Sequence, residues 1–312
     1  MSLKLCLVGA GHMGRIHARK LARMKDVTLT CIVDVNEHQA GNVARECGVP
    51  EYRDYRHTLR NGVRAAVIAS PTESHYPIAR AFLEEGVHVF IEKPIAAEPA
   101  QARELIDLAR KNNLTLQVGH LERFSPPFRK ASAMIKTPLF IEAYRTSGFT
   151  GRSTDIDVIH DLMIHDIDLV LSLVNSDIAA ISARGISVFT EKIDVANARV
   201  EFADGCVAII TASRASGTRE RSFKVFDQDR YYSLNLATAH MFTSKKDKKG
   251  KMEASIYKAT SPDPVNSELR EFVRAIRDKR EVLVNGEDGL RALLLANTIK
   301  EHIEENRAKI VT

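Results

Sequence analysis

Short apolar runs alternate with stretches of helical period through the first 120 residues. The runs at 5–8, 27–33, 65–69, 87–91 and 114–118 are strand-sized. Between them, Ala102, Leu105, Ile106 and Ala109 recur at i, i+3, i+4 and i+7, one stripe suited to packing on a sheet. Pro99 fits the first turn of that helix, where a missing N–H costs nothing. Strands alternating with helices predict βαβ units and a doubly wound parallel sheet. After Phe124 the pattern changes. Ser125-Pro126-Pro127 interrupts the chain, a short helix is expected next, and strand character then dominates. Ala196, Ala198, Val200 and Phe202 alternate with Asn197, Arg199 and Glu201, the period of a half-buried antiparallel strand. Asp204-Gly205 supplies a hairpin turn into a second strand over 206–211. Helical segments near 265–278 and 288–305 close the chain. The expected architecture is an α/β domain over 1–122 and an α+β domain over 123–312. The second is built on an open, largely antiparallel sheet, with room for its last helices to pack back on the first.

At 312 residues the chain is long enough for one large or two ordinary domains, and 44% hydrophobic with 27% charged residues is a globular composition. No apolar run approaches the roughly 18 residues of a membrane span, and no signal peptide precedes the first strand, so a cytoplasmic protein without a membrane partner is expected. Cys6, Cys31, Cys47 and Cys206 are scattered without a CxxC pair, so neither a zinc site nor a disulfide framework is expected. Much of the formal charge of +5 comes from Lys245, Lys246, Lys248, Lys249 and Lys251 around Asp247. No aromatic residue interleaves with these lysines, so they predict a solvated loop tip rather than a nucleic-acid surface.

Three local features carry chemistry. Gly9-x-Gly11-x-x-Gly14 follows the first strand and opens a helix, with Asp34 twenty residues after Gly14 at the end of the second strand. In such a turn the first glycine permits the bend and the second lets backbone approach a pyrophosphate. The third lets helix and strand pack closely, and the helix N-terminus attracts the phosphates. A carboxylate at Asp34 accepts hydrogen bonds from the adenosine ribose and repels a 2′-phosphate, so NAD is expected over NADP. Lys93, in Ile91-Glu92-Lys93-Pro94, ends another strand, on the edge where open α/β sheets bind ligands. Further on, Asp161, His165 and Asp168 share one face of a predicted helix, opposite Met163, Ile167, Val170, Leu171 and Val174. A helix buried by that apolar stripe presents carboxylate and imidazole together.

With Ser70-Pro71-Thr72-x-x-His75 added, these motifs make the chain resemble the glucose-fructose oxidoreductase, inositol dehydrogenase and rhizopine catabolism family of NAD(P)-dependent sugar oxidoreductases. The resemblance covers essentially the whole chain. It implies cofactor contacts at Gly9, Gly11, His12, Met13, Gly14, Asp34, Ser70, Pro71, Thr72, His75, Glu92, Lys93 and Pro94. It implies catalysis by Lys93, Asp161 and His165, and a second domain that binds substrate and joins homodimers or homotetramers through its sheet. Two departures stand out. Asp157-Val158-Ile159-His160 replaces glycines common in the family, and Thr72 stands where an asparagine is common.

Within the family the chain is most similar to the branch of UDP-N-acetylglucosamine 3-dehydrogenases, whose ketone product feeds a partner aminotransferase. The residues that suggest it are Gly119-His120-Leu121-Glu122-Arg123-Phe124-Ser125-Pro126, the segment from Asp161 to Asp168, and Thr211-Ala212-Ser213-Arg214. Substrate contacts are then expected at His120, Arg123, Phe124, Arg152, His165, Arg214 and Arg219. Arg214, Arg219 and Arg221 follow a strand, where guanidinium forks suit a nucleotide diphosphate, although a solvated strand edge would look the same. The chemistry this implies is hydride transfer from a sugar carbon to the nicotinamide. His165, oriented by Asp161, is the general base, and Lys93 stabilises the alkoxide or takes the proton itself. Two alternatives use the same fold: a dehydrogenase of a free polyol such as myo-inositol, and a non-catalytic NAD-sensing regulator.

Overall fold

The structure, a computed structural model, describes residues 2–59, 61–151, 156–247, 249–260 and 262–311. The chain divides into two compact units, Met1–His120 with Val265–Leu290, and Leu121–Pro264 with Arg291–Thr312. Among the described residues, no helix is long and apolar enough to cross a membrane.

The first unit begins with β1 (Leu3–Val8), α1 (His12–Leu21), β2 (Val27–Val33), α2 (Glu37–Cys47), β3 (Glu51–Tyr52) and the short α3 (Arg56–Leu59). It continues with β4 (Ala65–Ile68), α4 (Thr72–Glu84), β5 (His88–Glu92), α5 (Pro99–Lys111) and β6 (Leu116–Gly119). The strands form one sheet in the order β3-β2-β1-β4-β5-β6, and every pairing is parallel. The order reverses between β1 and β4, which opens the crevice where doubly wound sheets take dinucleotides. Strand β3 has two residues and no apolar run, so nothing in the hydropathy pattern marks it. Helix α5 follows its stripe: Ala102, Leu105, Ile106 and Ala109 are its buried residues, and Glu98 with Gln101 closes a capping box at its start.

The second unit opens with a 3₁₀ turn at Leu121–Phe124, α6 (Pro126–Ser132) and β7 (Pro138–Thr146). A π-helical turn at Ile159–Met163 then runs into α7 (Ile164–Leu173). The remaining strands are β8 (Ile178–Ile186), β9 (Val195–Phe202), β10 (Val207–Ser213), β11 (Glu220–Asp227), β12 (Arg230–Asn235), β13 (His240–Lys246) and β14 (Met252–Lys258). Their order is β14-β13-β12-β11-β7-β10-β9-β8. All neighbours are antiparallel except β7 and β10, so the first strand of this unit is inserted into the middle of the sheet. The hairpin of β9 and β10 places Ala198 opposite Ile210 and Val200 opposite Ala208. One face of the sheet carries Ile141, Ala143, Ala198, Val200, Ala208, Ile210, Phe223 and Val225 into a single core with Ile164 and Ile167.

Two helices follow, α8 (Pro264–Asp278) and α9 (Gly286–Val311). Helix α8 belongs to the first unit: Leu269, Phe272 and Val273 join the core of Leu5, Leu7 and Phe90, and the Glu268 carbonyl accepts from Gln117 Nε2 at 3.1 Å. Helix α9 begins in the first unit and ends in the second, where Leu295, Ala296, Ile299 and Ile303 complete the core.

A buried charge cluster fastens α7 to the sheet. Arg145 on β7 donates from Nε and Nη2 to the Asp166 carboxylate at 2.7 and 2.9 Å, and from Nη1 to Glu122 at 3.0 Å. All three residues are at most 5% exposed. Burial drives the Asp166 carboxyl above its ordinary range although Arg145 opposes it. Removing one partner from such a set leaves buried charge uncompensated, which typically costs about 3–5 kcal/mol. Arg145→Met is therefore expected to lower the urea unfolding midpoint sharply. Paired replacement of Asp166 and Glu122 by Asn and Gln in the same background should recover part of the loss.

Candidate active site

The glycine turn has the geometry a phosphate cradle needs. Gly9 sits at φ +97°, and a Cβ there would lie 2.5 Å from the Ala69 carbonyl carbon and the Ser70 nitrogen. A Cβ on Gly14 would lie 1.8 Å from the Gly9 oxygen, whereas one on Gly11 would meet nothing within 4 Å. The first and third glycines are thus required by packing, and the second faces open space that a pyrophosphate can fill. Gly11 caps α1 with no side chain, so the helix N-terminus keeps its first N–H groups for an anion. Asp34 holds the turn from beneath: its Oδ2 accepts from Ala10 N–H at 2.6 Å and its Oδ1 from Asn36 N–H at 2.8 Å. These residues fit a dinucleotide.

Lys93 follows directly on β5, at the C-terminal edge of the same sheet, and stands on a buried polar layer. The Glu92 carboxylate meets His17 Nε2 at 2.7 Å and accepts from Lys93 N–H at 3.3 Å. Burial works against its charge, but the hydrogen bond and proximity of His17, together with Lys93, hold the Glu92 carboxyl below its usual range. Glu268 on α8 joins them, so that ligand-type atoms of His17, Glu92 and Glu268 lie within 4.8 Å of one another. His75 spans the neighbouring turns, with Nδ1 2.9 Å from the Pro94 carbonyl and Nε2 2.8 Å from the Ser70 carbonyl. Burial lowers its pKa, and a neutral ring donates only one of those two contacts at a time. Ser70, Pro71, Thr72 and His75 are thereby tied to Glu92, Lys93 and Pro94.

In the second unit, Asp161 lies in the π-helical turn and His165 in the first turn of α7, both half-buried. The π turn corrects the uniform helix expected from the sequence, since an advance of 100° per residue does not hold across it. Asp168 is also corrected. It is 1% exposed and receives the Arg123 fork at 2.8 and 3.0 Å, so it shares no open face with His165. The Asp157–His160 segment anchors the helix start. Asp157 accepts from the N–H groups of Ile159 and His160 and pairs with His160 Nδ1 at 2.8 Å, while His160 Nε2 meets Asn297 of α9 at 2.7 Å. Against burial, these contacts hold Asp157 down at about 2 and raise His160.

The residues expected to touch substrate fall into three groups. His120 and Phe124 are buried, at 1% and 2% exposure, and Arg123 is committed to Asp168. Arg214 is also inside: it donates to Asp194 at 2.7 Å, to the Ile156 carbonyl at 2.7 Å and to Thr190 Oγ1 at 3.2 Å. Arg214 therefore holds loops together rather than forming a solvated strand edge. Arg219 is exposed, and Arg221 is half-buried against Glu122. Arg152 lies outside the described residues, as does Lys248 of the lysine run.

His17, Glu268, Asp157, His160 and Asp194 were not legible as site residues. His17 shares the buried face of α1 with Gly14, Ala18 and Leu21, and Asp157 and His160 stood out only as departures from the family pattern. Glu268 meets His17 and Glu92 from distant sequence, and the local contacts of Asp157, His160 and Asp194 are completed by Asn297 and Arg214.

Comparison with known proteins agrees with this geometry. Residues 3–120 match the oxidoreductase family with an NAD-binding Rossmann fold, and residues 135–230 match the GFO/IDH/MocA C-terminal domain. UDP-N-acetylglucosamine 3-dehydrogenase of Acidithiobacillus ferrooxidans is 33% identical over 305 residues, 96% of each chain. A solved structure of that enzyme superimposes with a TM-score of 0.92 at 32% identity, covering 98% of this chain and 99% of its own. Myo-inositol 2-dehydrogenase of Thermotoga maritima is 25% identical over 326 residues, 98% of each chain.

The two roles of Asp34 predict a compound effect. Asp34→Ala should narrow the preference for NAD over NADP by removing repulsion toward the 2′-phosphate. It should also weaken both cofactors by freeing the Ala10 and Asn36 N–H groups. Calorimetric titration of both cofactors tests this, and equal affinities in the unaltered protein would overturn the assignment.

Proposed function

The chain belongs to the glucose-fructose oxidoreductase, inositol dehydrogenase and rhizopine catabolism family of NAD-binding oxidoreductases, and from that premise we propose that it oxidises the 3-hydroxyl of UDP-N-acetylglucosamine to a ketone. The substrate reading is supported by the 33% identity, running through both units, to an enzyme of that name, against 25% to an inositol dehydrogenase. The chemical reading is carried by Lys93 at the C-terminal edge of the parallel sheet, braced by Glu92 and His17.

When bound, NAD supplies the hydride acceptor. The work of the chain's own groups is then proton management. His165 takes the hydroxyl proton as general base, and Asp161, one turn earlier, orients the imidazole and stabilises its protonated form. The Lys93 ammonium donates a hydrogen bond to the same oxygen and stabilises the developing alkoxide. Asp157 and His160 fix the backbone from which Asp161 and His165 project. A 3-keto sugar nucleotide is a substrate for transamination, which fits functional coupling to an aminotransferase.

Lys93→Met and His165→Ala are each expected to lower NADH formation from UDP-N-acetylglucosamine by about 10²–10⁴-fold. NADH affinity should stay within a few-fold of the unaltered protein. In the unaltered protein NADH should accumulate further when an aminotransferase and glutamate remove the ketone. Full activity in either variant would remove that residue from the mechanism, and turnover of myo-inositol in place of the nucleotide sugar would favour the polyol alternative.

The outer face of the second unit's sheet supports a homodimer or homotetramer. Phe140, Phe226, Tyr231 and Phe242 form a row across β7, β11, β12 and β13, with successive ring centroids 5.9, 4.9 and 6.3 Å apart. Leu139 and Tyr144 beside it are 50% and 45% exposed, and Val207 and Ile209 on β10 are half-exposed on the face away from the core. A contiguous aromatic surface of this kind marks an interface. Light scattering at micromolar concentration should give the mass of two or four chains. A single-chain mass would overturn the interface.

A further inference from the structure

Three loops meet at one end of the second unit's sheet, beside the start of the helix that carries Asp161 and His165. They are the segment after β7, the β8–β9 connection and the β10–β11 connection. Hydrogen bonds join them: Ser147 N–H to the Ser213 carbonyl at 2.9 Å, Ser216 N–H to the Ser147 carbonyl at 3.2 Å, and Thr146 Oγ1 to the Thr218 carbonyl at 2.8 Å. The β8–β9 connection reaches the helix start through Val158 N–H and the Ile193 carbonyl at 2.8 Å. A single buried carboxylate holds this connection. Asp194 Oδ2 accepts the N–H groups of Val188, Phe189 and Thr190 at 2.7, 2.6 and 2.9 Å, and Oδ1 takes Arg214 and the Thr190 hydroxyl.

On this fixed frame sit two exposed aromatic rings. Phe149 is 44% exposed and Phe189 57%, and their centroids are 5.1 Å apart at an interplanar angle of 50°. Neither ring contributes to the core of the unit. A loop pinned by three backbone hydrogen bonds to one carboxylate spends its order on presenting what it carries, and here it carries an apolar ring turned to solvent. Arg219, one residue from the Thr218 carbonyl that β7 holds, adds an exposed cation to the same group of loops.

We propose that Phe149 and Phe189 form a nucleobase platform, on which the uracil of a nucleoside diphosphate sugar stacks while Arg219 meets its diphosphate. This rests on the reading of the substrate as a nucleotide sugar and assigns its specificity to two residues. An aromatic face suits a base and a guanidinium suits a phosphate, whereas a free polyol has use for neither. The platform acts in binding and leaves the chemical step to His165 and Lys93.

The test compares the unaltered enzyme with Phe189→Ala, Phe149→Ala and Phe189→Tyr. The probes are UDP in calorimetry, and UDP-N-acetylglucosamine and N-acetylglucosamine 1-phosphate in turnover. Loss of one aromatic stack corresponds to about 5- to 150-fold weaker binding. Each alanine variant should lose UDP affinity and raise KM for the nucleotide sugar by that order, with kcat nearly unchanged. The base-free sugar phosphate should be handled equally by all variants, and Phe189→Tyr should retain binding. If the unaltered enzyme oxidises UDP-N-acetylglucosamine and the alanine variants bind UDP equally well, the platform is wrong and the substrate reading stands. If the unaltered enzyme neither binds UDP nor oxidises its sugars, the substrate reading fails and takes the platform with it. A change in oligomer mass in the alanine variants would make the pair an interface element and overturn the proposal.

Discussion

A loop leaving a sheet edge carries backbone N–H groups that no strand can take, and in this protein buried or half-buried carboxylates take them. Asp34 accepts from Ala10 and Asn36, Glu92 from Lys93, Asp157 from Ile159 and His160, and Asp194 from Val188, Phe189 and Thr190. A carboxylate has lone pairs enough to serve several donors at once, and charge-assisted hydrogen bonds of this kind are stronger than neutral ones. The cost is buried charge, so most of these acids have a counter-group: His17 for Glu92, His160 for Asp157, Arg214 for Asp194. These turns are thus held by hydrogen-bonded carboxylates, most of them paired with a counter-group.

That arrangement explains how one departure from the family pattern, the Asp157-Val158-Ile159-His160 segment, is used. Asp157 and His160 replace small residues at the entry to a helix that must hold Asp161 and His165. Their mutual hydrogen bond, with Asn297 behind it, exchanges backbone freedom for a fixed entry. The π turn that follows changes the rotation of the helix between Asp161 and Asp166. Asp166 and Asp168 then turn inward onto Arg145 and Arg123, while Asp161 and His165 remain half-buried. Three acids and an imidazole within eight residues are thus divided, two acids fastening the helix and one left half-buried with the imidazole.

Most of the first unit was legible in the chain. Short apolar runs, the stripe of α5 and the glycine turn each depend on neighbours a few residues away, so local pattern sufficed for them and for the placement of Asp34 and Lys93. Strand β3 escaped because two residues carry no period. In the second unit the β9–β10 hairpin was legible, because Asp204-Gly205 and the alternation around it are local. The insertion of β7 between β10 and β11 was not, since strand order depends on pairings across sixty to ninety residues.

The sequence alone determined which side chains with reactive chemistry stand at strand ends and helix starts, because turn geometry and hydrophobic period are written into adjacent residues. Only the tertiary structure decided which of them remain available. Arg123 and Arg214 look like substrate ligands along the chain, yet each is taken by an aspartate 45 or 20 residues distant. Phe149 and Phe189 carry no mark along the chain, and the fold holds them out to solvent. A charge or ring is free or committed according to what folding brings beside it, and no spacing in one sequence encodes that distance.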